Sequence, residues 1–209
     1  MILLGELLEH TRSTVLRDVP QPWLFSDEEL ERHLIEAYKL FARRTHVFVE
    51  PDFEIETIAD ERTYQLPQRC IYVRDVSIDG CALGAFTRSS RPRAFRGRPI
   101  AYSTDSAQTR IKFYPVPDRA YFVDIDYVTL PDTSGVAADI EVRLAEDWAY
   151  GLCFYAAGRA LRNNDPDGSN TIAGDTLLAD FNQLVRQVKV DIIRERTGEG
   201  ARVRAPSWT

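Results

Sequence analysis

Hydrophobic positions along this chain recur with two different periods, and each change of period marks an architectural boundary. The opening stretch LLGELLEHTRSTVL places Leu3, Leu4, Leu7 and Leu8 on one side of a short helix. Gly5 weakens that helix, because glycine has the greatest backbone freedom to lose. The helix is predicted to end before Asp18-Val19-Pro20, with Pro20 and Pro22 marking a loop. A second helix starts at a capping box, Ser26 followed three residues later by Glu29, with Asp27 and Glu28 favoured by the helix dipole. Leu30, Leu34, Ala37, Tyr38 and Phe41 then fall at helical spacing, and Arg43 and Arg44 close the helix where cations are stabilised.

From Val47 to Leu130 the period shortens to two. FEIETI alternates, TYQLP follows, and IYVRDVSIDGCAL carries Asp79-Gly80, a two-residue hairpin signal. TRIKFYPV and AYFVDIDYVTL, joined through Pro117-Asp118, complete a small antiparallel β unit. After the turn-rich 131–135 stretch, helical spacing returns with Asp139 as the expected cap and Leu144, Trp148, Leu152 and Tyr155 on one face. Ala149, Gly151, Ala156, Ala157, Gly158 and Ala160 are small enough for a neighbouring helix to approach closely. Asn163-Asn164-Asp165-Pro166 stops this helix, since proline cannot continue it. The last helix spans 171–196 with Phe181, Leu184, Val185, Val188 and Ile192 as its buried stripe. Beyond it, TGEGARVRAPSWT offers only Val203 and Trp208 for burial.

The order of helices, strands and helices predicts an α+β fold. Helical segments from both ends (1–46 and 131–196) form one bundle, an antiparallel β domain (47–130) is inserted between them, and an extended arm (197–209) follows.

Composition agrees with a folded chain. Its 209 residues are 44% hydrophobic and 28% charged, enough for a core in one compact unit or two small ones. No stretch approaches the roughly 20 apolar residues of a membrane helix. Glu6 and Glu9 interrupt the N-terminus where a signal peptide would be apolar, so the chain reads as cytosolic and soluble. Cys70, Cys81 and Cys153 are odd in number and far apart, with neither metal-ligand nor disulfide spacing, and are expected to be buried free thiols. The net charge of −6 hides a division: residues 88–98 hold five arginines and no acid, and 194–204 hold four arginines against two glutamates. Such segregation suits docking between complementary surfaces better than coating of nucleic acid.

A search for chemistry finds little. His10, His33 and His46 lack partner motifs and are assigned surface or helix-end roles. Asp165–Asn170 resembles a calcium loop, but its twelfth position is Thr176 where a bidentate glutamate is needed, so a helix-to-helix turn accounts for it. Asp124 and Asp126 share one face of a predicted strand. They are read as a solvated face, with a hydrolase carboxylate site as the minor alternative. No Walker loop, GxGxxG, GxSxG or HExxH occurs. The expectation is therefore no catalytic residue, no metal ligand and no cofactor.

Two features remain that suit contact. Arg88, Arg91, Arg93, Arg96 and Arg98 lie in a stretch broken by serine, proline and glycine. It is either a solvated loop or a basic finger touching a partner or DNA phosphates. A nucleic-acid-binding module built on these arginines is the alternative function, although the acidic pI of about 5.2 argues against it. The terminal segment pairs Trp208 with Arg202, Val203 and Arg204, residue types suited to an interface anchor.

Taken together, the segments resemble a known family. LLEHTRSTVLRD, then W-x-F-S-D-E-E-L and IEAYKLFARRT, are similar to the start of the head-to-tail adaptors of tailed bacteriophages. TYQLP, VRDVSIDG and IKFYPVPDRAYFVDIDYVTLP resemble that family's strand succession. EDWAYGLCFYAAGRAL and FNQLVRQVKVDIIRER resemble its closing helices. The resemblance implies a non-enzymatic virion protein made in the host cytoplasm. It implies a ring, commonly twelvefold, beneath the portal protein and above tail or nozzle proteins, with DNA passing through without sequence-specific binding. It further implies that the C-terminal arm, with Arg202, Val203, Arg204 and Trp208, docks on the portal.

Overall fold

A computed structural model describes residues 2–18, 24–86, 95–163 and 170–197. The architecture is mixed α+β, with four α-helices among the described residues and mainly antiparallel sheets. Two compact units account for it: the described residues within Met1–Thr45 and Pro131–Thr209 form one, and those within His46–Leu130 the other.

In the helical unit, β1 (Ile2–Leu3) pairs with β10 (Glu141–Val142) and leads into α1 (Leu4–His10). The Leu3 N–H donates to Glu6 Oε2 at 3.0 Å and caps the first turn. Gly5, which weakens α1 by propensity, is a packing residue: a Cβ there would meet the Ala138 carbonyl oxygen at 3.1 Å. The chain then widens into a π-helical turn, Thr11–Leu16, ended by Arg17 at φ 52°. Arg12 is buried and holds this corner together. Its Nη1 donates to Asp18 Oδ2 (2.8 Å) and to the Phe25 carbonyl (3.0 Å), and its Nη2 to Asp27 Oδ1. Asp18 in turn accepts from the Leu24 and Phe25 N–H groups.

Helix α2 (Asp27–Thr45) starts where the capping signal put it, with Ser26 Oγ accepting from Glu29 N–H at 3.2 Å. Leu30, Leu34, Ala37, Tyr38 and Phe41 are all buried, each large apolar side chain contributing about 1.5–3 kcal/mol. The third helix begins later than expected. Ala137–Asp139 is a 3₁₀ turn, Leu144 lies before the helix, and α3 runs Glu146–Asn163, so Asp139 does not cap it. The pairing of β10 with β1 claims residues that helical spacing alone would have wound into α3.

Gly151 and Gly158 of α3 face α4 (Thr171–Thr197), while Ala160 packs with Phe25 and Leu30. A Cβ on Gly158 would sit 2.9 Å from the Gly174 carbonyl oxygen and 2.9 Å from Leu178 Cγ, and one on Gly151 would collide with Leu184 Cδ2. Backbone thus approaches backbone here, and the apolar stripe of Phe181, Val185 and Val188 is buried beside it.

The second unit comprises β2 (Val49–Glu56), β3 (Thr63–Gln65), β4 (Cys70–Ile78), β5 (Cys81–Ala82), β6 (Gly84–Ala85), β7 (Ala101–Thr104), β8 (Arg110–Tyr114) and β9 (Phe122–Thr129). They form two four-stranded sheets, β2-β9-β4-β5 and β3-β8-β7-β6. One core, including Ile55, Val76, Ile78, Val123 and Ile125 from the first sheet and Ile111 and Phe113 from the second, is shared by both. Asp79 and Gly80 both have positive φ (51° and 72°) and join β4 to β5 in the two-residue turn that the dipeptide signals. The unit is not wholly antiparallel: β6 pairs with β7 in parallel, and Arg96 makes a parallel bridge to Val116.

Candidate interaction surfaces

Of the five arginines in the 88–98 stretch, Arg88, Arg91 and Arg93 lie outside the described residues. Arg96 and Arg98 are described, and carboxylates engage both. Arg96 Nε lies 2.7 Å from Asp60 Oδ1, and Arg98 Nη2 donates to Asp79 Oδ2 (3.0 Å) and to the Ile78 carbonyl (3.1 Å). These two side chains tie the stretch to the turns that follow β2 and β4, and each guanidinium is already paired with a carboxylate. Arg202, Val203, Arg204 and Trp208 lie outside the described residues.

Asp124 and Asp126 do project from one face of β9, as the period of two requires, while Val123 and Ile125 fill the core from the other. Asp124 stands opposite Glu54 on one side and Ser77 on the other, and Asp126 opposite Asp75. Asp126 Oδ1 also accepts from the Asp52 N–H at 3.2 Å, across the β-bulge of β2. This face is therefore rich in carboxylates. Among the described residues, no group of three or more histidine, cysteine or carboxylate side chains is arranged to hold a metal ion.

Of the three histidines, His33 departs from its expected surface or helix-end role, while His10 and His46 lie at the ends of α1 and α2. His33 is buried between α2 and α3, with Asn163 Nδ2 3.3 Å from its Nε2 and the Glu29 and Glu36 carboxylates 3.7 and 3.6 Å from its ring nitrogens. Burial pushes its pKa below the ordinary value of 6.5, assisted by Arg32 and opposed by the two glutamates. His46 adopts a left-handed conformation (φ 57°) just after α2, and its ring stacks on Tyr72 with centroids 5.3 Å apart. His10 packs against the Tyr150 ring at 4.6 Å. The period of α2 sets His33 next to the core residue Leu34, at the edge of the buried stripe.

Cys70 and Cys153 are buried, and burial pushes the Cys153 thiol up to about 11. Cys81 is exposed on β5, contrary to expectation, because a two-residue strand after a tight turn has no second layer over it. Sequence reading also missed large apolar side chains left in solvent: Phe122 on β9, and Val190 and Ile193 on α4. Phe122 could have been found from alternation, since it shares its parity with Asp124 and Asp126.

Among the described residues, then, the chain presents charged and apolar surfaces without a metal cluster, and no helix long and apolar enough to cross a membrane. The sequence model of the family described as SU10 adaptor protein matches residues 3–205. The chain belongs to that family, the head-to-tail adaptors of tailed bacteriophages, which is structural rather than enzymatic. No curated protein sequence matches it.

Proposed function

We propose that this chain is a virion component that forms a ring, twelvefold in keeping with the family resemblance, below the portal protein. The ring joins the capsid to tail or nozzle proteins, and DNA passes through its channel without sequence-specific contact. The helices of 1–46 and 131–196 form its bundle, 47–130 an inserted domain, and 197–209 an arm that docks on the portal. The observation that carries this reading is the family match across residues 3–205, nearly the whole chain.

The physical logic of the arm is that of an ordering transition. Fixing each residue costs about 1–2 kcal/mol of chain entropy, and Trp208 packed in a portal cleft would help offset this with about 2 kcal/mol or more. Deleting residues 199–209 should leave a folded subunit, judged by circular dichroism, and abolish co-purification with the cognate portal. Portal binding that survives the deletion would reject the docking role. The engagement of Arg96 and Arg98 by Asp60 and Asp79 gives no support to a nucleic-acid module.

A further inference from the structure

The α3–α4 pair is longer on one side than the other. Facing residues run antiparallel: Arg162 Nη1 lies 3.3 Å from Asp175 Oδ1, Gly158 abuts Gly174 and Leu178, the Tyr155 ring packs on Phe181, and Gly151 abuts Leu184. Continuing that register sets Glu146, the first residue of α3, opposite residue 189. Residues 190–197 of α4 therefore pass beyond α3, by about 12 Å at the helical rise. On this end Val190 is 45% and Ile193 48% exposed. Arg186 falls on the same face, four and seven residues before them, and Lys189 lies alongside; both are exposed. The result is an apolar strip edged with cations.

The outer face of β2-β9-β4 has the opposite character. Glu54 stands directly across from Asp124, whereas Asp75, across from Asp126, is already partnered by Arg74 Nε at 3.3 Å. Like charges in that position destabilise a sheet. Among the described residues, no cation forms an ion pair with Glu54, Glu56 or Asp124. Phe122, 57% exposed, ends the same face opposite Glu56. Alternation along a strand explains carboxylates in water. It does not explain why they oppose one another around an exposed aromatic ring. A cationic, apolar occupant would relieve the repulsion and cover the ring.

We infer that the end of α4 in one copy docks on the outer β2-β9-β4 face of a second copy. Val190 and Ile193 lie against Phe122, and Arg186 and Lys189 meet Glu54, Glu56 and Asp124. A helix end meeting a sheet face joins unlike surfaces, so the contact is heterologous: every copy offers one of each, and copies add head to tail. Closure of that series rests on the ring proposed above, whereas the contact itself rests on the two surfaces. Two helical turns bury less than a standard interface, so a single contact is weak and gains strength only when repeated around a ring.

Sedimentation equilibrium of the full chain at millimolar concentration and low ionic strength tests this, because charge complementarity is strongest there. Wild type should associate with concentration. R186E with K189E, and separately E54K with D124K, should each weaken association by about tenfold or more, and the chain carrying all four reversals should regain it. V190S with I193S should also weaken association while the circular dichroism spectrum stays unchanged. A wild-type chain that remains monomeric, reversals without effect, or a fourfold variant that fails to recover would each overturn the inference. The adaptor reading is judged separately, by the presence of the chain at the capsid–tail vertex.

Discussion

Gly158→Ala offers a sharp test of how the helical unit is held together, because two effects of similar size oppose each other there. In an open helix the substitution would stabilise by about 0.8–1 kcal/mol, since alanine loses less backbone entropy. Here the new methyl would lie 2.9 Å from the Gly174 carbonyl oxygen and 2.9 Å from Leu178 Cγ. The oxygen belongs to the backbone of α4, so relief requires the two helices to move apart. Overpacking of that kind costs about 1–3 kcal/mol. With a backbone oxygen and a side-chain carbon both at 2.9 Å, crowding falls in the upper part of that range, about 2–3 kcal/mol, so the net loss is about 1–2 kcal/mol, equivalent to roughly 2–8 °C in Tm for a chain of this size. Gly151→Ala is the internal control. Its obstacle is the tip of Leu184, a half-buried side chain that can change rotamer, so the variant should lie close to wild type. Urea titration followed by ellipticity at 222 nm reports the helices directly. A Gly158→Ala chain that is as stable as wild type, or more so, would show that α3 and α4 do not meet backbone to backbone.

Other outcomes follow from the same physics. Arg12→Met should destabilise by about 3–5 kcal/mol by leaving buried Asp18 without its cation. Arg12→Met with Asp18→Asn should recover part of that loss, which a double-mutant cycle in urea would measure. His33 is held neutral by burial, so its folded pKa lies below the unfolded value of 6.5. As pH falls through 6.5 the unfolded state takes up a proton that the folded state resists. Stability should therefore decline from pH 6.5 down to the folded pKa, and His33→Gln should flatten that part of the profile. Gly80→Ala should cost about 1–2 kcal/mol, because φ is 72° at that turn position; a Tm equal to wild type would contradict the turn geometry.

Local signals proved the most legible. The capping serine before α2, the Asp79-Gly80 turn, the alternation of β9 and the small residues of α3 each specify a geometry within a few residues, and the structure contains all four. What could not be read depends on long-range pairing. Nothing near Asp139 announces that Glu141–Val142 will pair with Ile2–Leu3, so helical spacing alone starts α3 too early. The division of the strands into two sheets sharing one core, and the parallel β6–β7 pair, likewise depend on partners distant in sequence. The surroundings of His33 are hidden for a related reason, since Asn163, which contacts its ring, is 130 residues away. The Arg96–Asp60 and Arg98–Asp79 pairs have the same origin, since no feature of an arginine-rich stretch reveals which carboxylates the fold brings to it.

On the function proposed above, this chain works by contact at the junction of capsid and tail. Electron-microscopic imaging of the purified chain mixed with its cognate portal tests it most directly. A ring of added density should appear beneath the portal and be absent when residues 199–209 are deleted. A portal that remains bare in the presence of excess folded chain would contradict it.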